Sequence, residues 1–374
     1  MCTTWRALGV ECAPPGGHSG SKAHHVEGTR AEGGEPYAGP VTDHLVTPTS
    51  QVGVEPATSI GRRSRWVLIA NVVAQVGIVV SGGLVRLTGS GLGCPTWPEC
   101  TEGSLVPVQG QSEGLHTFIE FGNRMLTFAV LVTAVVSLLV VLRPALARRF
   151  GPRWGEPGQP RRSLVLLASA VLLGIFGQAA LGGITVLLDL HPAIVAAHFL
   201  LSMLMIAAAF TLYRRATELG DQPRIVVVRR ELQLLAVTIV AAAFVVLVLG
   251  TIVTGTGPHS GDADEVVRFG LDPRTISWLH ADAVLVFVGL ALGYALGARL
   301  TDAPSAARRA GWLLIAACIV QGSIGYAQYF SGLPIGLVSV HMLGACLVWL
   351  AALNAFFSTR VRGRSAAGVE TVTH

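Results

Sequence analysis

Charged side chains are scarce in this chain. Asp, Glu, Lys and Arg make up 13% of 374 residues, against 51% hydrophobic, and mean hydropathy is +0.58. A soluble protein of this length carries about twice that charge fraction, so a water-soluble globular fold is excluded. The arginines sit between apolar runs and not on a folded soluble domain, which excludes a nucleic-acid surface. No third cysteine and no histidine lies beside Cys94 and Cys100, so that pair is half a zinc site at most. Polar composition is concentrated in residues 1–61, rich in Gly, Pro, Ser and Thr. That stretch reads as a disordered cytoplasmic tail, and residues 361–374 as a second tail. Arg62-Arg63 before an apolar run has the look of a twin-arginine signal. No small-residue cleavage site follows, and further spans do, so the run reads as an uncleaved anchor.

What fills the rest is apolar. Eight runs have the length that crosses a bilayer core: 66–85, 115–141, 164–188, 194–213, 232–253, 276–296, 312–330 and 335–357. Backbone in lipid must satisfy its own hydrogen bonds, so the runs are expected to be helices. The second and third are long enough to tilt or emerge. Arginines crowd alternate connections: 62–65, 143–162, 214–230, 299–309 and 360–364. The positive-inside rule then places both termini in the cytoplasm, and the clusters also read as contacts to lipid headgroups. The expected fold is an all-α polytopic membrane protein.

The chain repeats itself. Gln178-x3-Gly182 is followed by His198, and Gln321-x3-Gly325 by His341; both Gln-to-His intervals are twenty residues. Thr88-Gly89-Ser90-Gly91 ends the first span, as Thr254-Gly255-Thr256-Gly257 ends the fifth. A four-helix unit used twice follows, with residues 62–220 as one bundle and 221–360 as the other. An even number of spans per unit makes the repeat parallel. The copies differ chemically: the first has Glu120 where the second has Ser277, and only the first has the cysteine loop.

Ionisable residues inside a span are costly unless paired or functional. Here polar residues gather near the outer ends of the even-numbered spans: the ionisable His116 and Glu120 with the amide of Asn123 on the second, then His198, His280 and His341. His198, His280 and His341 fall roughly 6–9 Å below the outer boundary at 1.5 Å per residue. His116, Glu120 and Asn123 are spaced to share one helical face. Spans two and four are expected to face each other across one bundle, and six and eight across the other. Histidines on facing helices suit a flat apolar macrocycle held on both sides of its iron, and His280 with His341 fit a bis-histidine haem. Hydrogen bonding of each histidine across helices is the other account. His191 and His259 read as interfacial or loop residues. The bias of polar residues toward one face argues against a transporter, whose site belongs at the midplane.

Cys318 and Cys346 lie within spans and read as small apolar residues. Cys94 and Cys100 share the loop after the first span, on the side where disulfides persist. That loop and the residues before it, Gly82-Gly83-Leu84-Val85-Arg86-Leu87-Thr88-Gly89-Ser90-Gly91-Leu92-Gly93-Cys94-Pro95-Thr96-Trp97-Pro98-x-Cys100, closely resemble the signature of haem A synthases. Glu120-Phe121-Gly122-Asn123-Arg124 is similar to that family's Glu-x-x-His-Arg motif, and His198, His280 and His341 fall where its other histidines fall. The resemblance spans roughly residues 62–360.

The resemblance implies a haem A synthase of the bacterial cytoplasmic membrane, with its haem sites toward the outer face. It oxidises the C8 methyl of haem O to a formyl group by successive hydroxylation. It implies a substrate haem in the N-terminal bundle and haem b in the C-terminal one, with iron held only through haem. Glu120 would be the catalytic carboxylate, His198 a ligand of the substrate iron, His280 and His341 the haem b ligands, and Cys94–Cys100 a disulfide. Partners would be a haem O-making farnesyltransferase, an electron-transfer protein and the assembly of cytochrome oxidase; both a single chain and a homo-oligomer are compatible. The sequence departs from the motif at Asn123, and His116, one turn before Glu120, is expected to replace the missing ligand or lie near the site. Arg86 and Arg124 are candidates for pairing with haem propionates, or for snorkelling to headgroups. The rival function is a non-catalytic di-haem b electron carrier.

Overall fold

A helix that is apolar around its circumference can expose side chains to lipid while its backbone bonds to itself. The computed structural model describes residues 60–108, 114–218, 220–221, 223–259, 261–262 and 267–362, and the expected tails fall almost wholly outside them. Eight helices follow the eight runs: α1 (Arg62–Leu87), α2 (Leu115–Phe150), α3 (Arg162–Leu187), α4 (Pro192–Ala216), α5 (Arg230–Thr256), α6 (Pro273–Leu300), α7 (Ser305–Phe330) and α8 (Ile335–Ser358). Each is long and apolar enough to cross a membrane. The family-wide expectation of an all-α, multi-pass membrane fold holds.

Local chemistry sets the helix ends. Pro192 and Pro273 open α4 and α6, where a missing N–H costs nothing. The Asp272 carboxylate caps α6 by accepting from the Thr275 amide at 2.8 Å. α2 runs 36 residues, well past its apolar stretch, to end at Gly151 with positive φ (96°). Its emergent part carries Arg143, whose Nη1 donates to Ser64 Oγ of α1 at 3.3 Å and whose Nε donates to the Trp154 carbonyl at 3.1 Å.

Two rings result. In the first, α1 packs on α2, α2 on α3, α3 on α4 and α4 on α1; α5 to α8 close the second ring in the same order. Helices α2 and α4 are therefore diagonal across one ring, and α6 and α8 across the other. The rings meet where α8 packs on α1 and α4, and α5 on α4. Lipid offers no hydrophobic drive for this seam, so close packing and polar contacts carry it. Trp349 of α8 is buried and donates its indole N–H to the Met203 carbonyl of α4 at 3.0 Å. Small residues let the helices of the second ring approach: a Cβ at Gly311 of α7 would lie 2.9 Å from Ala295 Cα of α6.

At the ends away from the histidines, short strands β1 (Ile225–Val226) and β2 (Arg360–Val361) pair antiparallel, so the connection between rings is tied to the end of α8. Nearby, Asp221 accepts from Ser163 at 2.7 Å, Arg215 at 2.7 Å and Arg161 at 3.0 Å. Partial burial raises its pKa, but these donors outweigh it and hold the carboxyl below its ordinary range. A depressed folded pKa means stability that is present above the unfolded pKa and lost as pH falls through the folded one. Wild type is expected to melt higher than Asp221→Asn at pH 7, with the gap closing below about pH 4. Melting curves in detergent across that range check it; a constant gap would assign the effect to something other than charge.

Candidate functional site

Each even-numbered helix carries a polar side chain at nearly the same distance from its N-terminal end, facing a glycine of the preceding helix. His198 is the seventh residue of α4, His280 the eighth of α6, His341 the seventh of α8 and Asn123 the ninth of α2. A Cβ at Gly182 would lie 3.2 Å from His198 Cε1, one at Gly250 3.3 Å from His280 Cε1, and one at Gly325 3.1 Å from His341 Cε1. Asn123 stands likewise 3.9 Å from the same point of Gly82. The four positions form two diagonal pairs, Asn123 with His198 and His280 with His341.

Nδ1 of each imidazole is sealed from solvent; those of His198 and His341 make no hydrogen bond, while the His280 ring interacts with the Val246 backbone of α5. The rest of each ring is partly accessible. His280 and His341 are near enough to interact electrostatically. Hydrogen bonding of the ring across helices, the alternative account, is not what holds His198 or His341. Backbone clamps position them instead. Gln178 Nε2 donates to the His198 carbonyl at 3.3 Å, and Gln321 Nε2 to the His341 carbonyl at 2.9 Å. The repeated Gln-to-His interval is thus a repeated contact. Imidazoles seated over glycines on diagonally opposite helices fit a haem. Among the described residues no group of three His, Cys, Asp or Glu is placed to hold a bare metal ion.

Glu120 sits one turn nearer the N-terminal end than Asn123 and is buried (5% exposed). Its carboxylate accepts the Cys94 amide at 2.7 Å through Oε2, and Arg124 donates to Oε1 at 2.6 Å. Arg124 also donates to the carbonyls of Cys94, Thr96 and Glu99. Cys94 and Cys100 are disulfide-bonded, with Cα atoms 4.4 Å apart, and both are fully buried. The loop they close reaches across to α3, where a Cβ at Gly183 would lie 2.5 Å from Trp97 Cδ2. A cyclised loop thus covers the end of the first ring at which α2 and α4 begin, with the carboxylate beneath it. So short a loop gains little chain entropy from its disulfide, so shape is the larger contribution of the bond.

The remaining residues fall elsewhere. His116 does not reach the Asn123 position. It lies about 10 Å farther out along α2 at 1.5 Å per residue, and its Nδ1 is 2.8 Å from Ser90 Oγ. Arg86 donates to the His259 carbonyl at 2.9 Å and the Thr254 carbonyl at 3.1 Å, so it joins the two rings. The Gly91 amide adds a 2.8 Å bond to the Gly261 carbonyl. His259 Nε2 lies 3.0 Å from the Leu333 carbonyl, and His191 caps α4. Neither Arg86 nor Arg124 is an uncommitted cation. Sequence reasoning missed the partners: the glycines under the rings, Ser81 beside Asn123, and the ion pair of Glu120 with Arg124. Only the last had a signal, its i, i+4 spacing.

The sequence is similar to those of known proteins. The chain is 34% identical over 152 residues to the "Heme A synthase" of Lysinibacillus sphaericus, covering 40% of this chain and 44% of that relative. The match therefore spans less than half of that relative's length. With the "Heme A synthase" of Bacillus licheniformis it shares 24% identity over 290 residues, 73% of this chain and 88% of the relative. With that of Shewanella oneidensis it shares 23% over 337 residues, 76% and 93%. The COX15-CtaA family profile, described as cytochrome oxidase assembly protein, matches residues 64–353. Carrying that match across both rings, the chain belongs to the COX15-CtaA family of cytochrome oxidase assembly proteins.

Proposed function

We propose that this protein is a haem A synthase, oxidising the C8 methyl of haem O to a formyl group through successive hydroxylation. The observation that carries this is Glu120, a carboxylate buried under the disulfide loop of the one ring that has such a group. The names of the relatives support it. Haem O supplies the methyl group, and a resident haem b supplies a route for electrons. His198 holds the substrate from α4, and His280 with His341 hold haem b between α6 and α8. Arg124 offsets the charge of Glu120 and fixes its direction. Glu120 takes up protons released beside it and stabilises positive charge there. The loop carrying Trp97 excludes bulk water. A haem O-making farnesyltransferase supplies the substrate; each hydroxylation takes its oxygen atom from a water molecule and releases two protons and two electrons, the electrons passing to an electron-transfer protein; the product serves cytochrome oxidase. The sites lie toward the outer face of the bacterial cytoplasmic membrane, with both termini inside.

The test is co-expression with a haem O-making farnesyltransferase in a host lacking haem A. Pyridine-haemochrome spectra and mass analysis should show haem A and hydroxylated haem. Haem b alone would sink the proposal in favour of a di-haem carrier.

A further inference from the structure

The two rings place four side chains over four glycines, yet only three are imidazoles. The fourth is Asn123, diagonal to His198. Asparagine is shorter than histidine, and its neutral amide is a poor iron ligand. The nearest histidine on the same helix, His116, is about two turns away and engaged with Ser90. Asn123 is also held: Ser81 Oγ donates to its Oδ1 at 2.7 Å. That is the shorter of the hydroxyl's two contacts, the other being the Ile78 carbonyl at 3.1 Å; with Oδ1 engaged, Nδ2 is the part of the amide left to donate. No other side chain on α2 within a turn of Asn123 offers iron a nitrogen or sulfur except Met125 and Arg124. Met125 is exposed, and Arg124 is bound to Glu120 and the loop.

We infer that the first ring holds haem iron by His198 alone, and that Asn123 faces the opposite axial side as a hydrogen-bond donor. That side would accept a small exogenous ligand. The two rings would then differ in kind: the second, with His280 and His341, is closed at both axial sides, while the first is open at one. The inference rests on haem occupying the first ring as proposed above, and deepens that reading by naming which axial side is open to a ligand.

The experiment uses the full chain, purified in detergent with haem in both rings. Electron paramagnetic resonance and absorption spectra should show a high-spin and a low-spin ferric haem. Cyanide, added as the probe, should convert the high-spin fraction only. Asn123→His should abolish cyanide binding and turn the high-spin signal low-spin. Asn123→Val should keep the high-spin signal but bind cyanide roughly tenfold more weakly, as expected for loss of one charge-assisted hydrogen bond. A wild-type protein that is wholly low-spin and inert to cyanide would overturn the inference while leaving the proposed function standing. So would a His116→Ala variant that gains a high-spin signal absent from wild type, because His116 would then be the ligand. Failure of the first ring to take up haem, or unchanged loading in His198→Ala, would overturn the proposed function itself.

Discussion

Glu120→Gln is expected to cut haem A yield at least about a hundredfold while haem content stays near wild type, since a positioned acid or base typically contributes 10²–10⁴ in rate. The substitution preserves shape. A glutamine oxygen can still accept the Cys94 amide, which Glu120 Oε2 takes at 2.7 Å. What disappears is the negative charge and the ability to take up a proton. Arg124, whose guanidinium contacts Glu120 at 2.6 Å, keeps its carbonyl acceptors at Cys94, Thr96 and Glu99, so the loop should stay folded. Haem composition by mass analysis, normalised to total haem per protein, is the measurement. Undiminished haem A would remove Glu120 from the chemistry and leave it a structural anchor of the loop.

Gly325→Val should empty the second ring of its low-spin haem as thoroughly as His341→Ala does. A Cβ at Gly325 would already lie 3.1 Å from His341 Cε1, and valine adds two branches at that point. The ring cannot retreat along its own helix, because Gln321 holds the His341 carbonyl at 2.9 Å. Gly322, one turn earlier on α7, has nothing within 4 Å of an added Cβ. Gly322→Val is therefore the control and should keep the signal. Low-spin absorption per mole of protein distinguishes them. Equal loss in both variants would point to general damage of α7 and not to seating of the imidazole.

The helices were legible because membrane spans carry the strongest signal a sequence holds, an apolar run of fixed minimum length. The end of α2 was not: beyond Val141 the chain alternates arginine with apolar residues and leaves the lipid while still helical to Phe150. The repeat was readable at Gln178 and Gln321, and their contact with the histidine carbonyls gives it a physical reason. The glycines beneath the rings were present in the same motifs, but their role depends on helix rotation, which spacing alone does not fix. Arg86 shows another limit. Its acceptors are backbone carbonyls of Thr254 and His259, and a carbonyl has no sequence signature. Arg124 could have been paired with Glu120 from their spacing; resemblance to a motif drew attention to haem propionates instead.

The bonds from Arg86 to residues 254 and 259, and from Gly91 to Gly261, bear on biosynthesis. A ribosome that has released α4 has made every residue of the first ring but none of the carbonyls that receive this guanidinium. Until the end of α5 has been made, Arg86 lacks these acceptors. The contacts that join the two repeats at this end therefore form only once both have been synthesised.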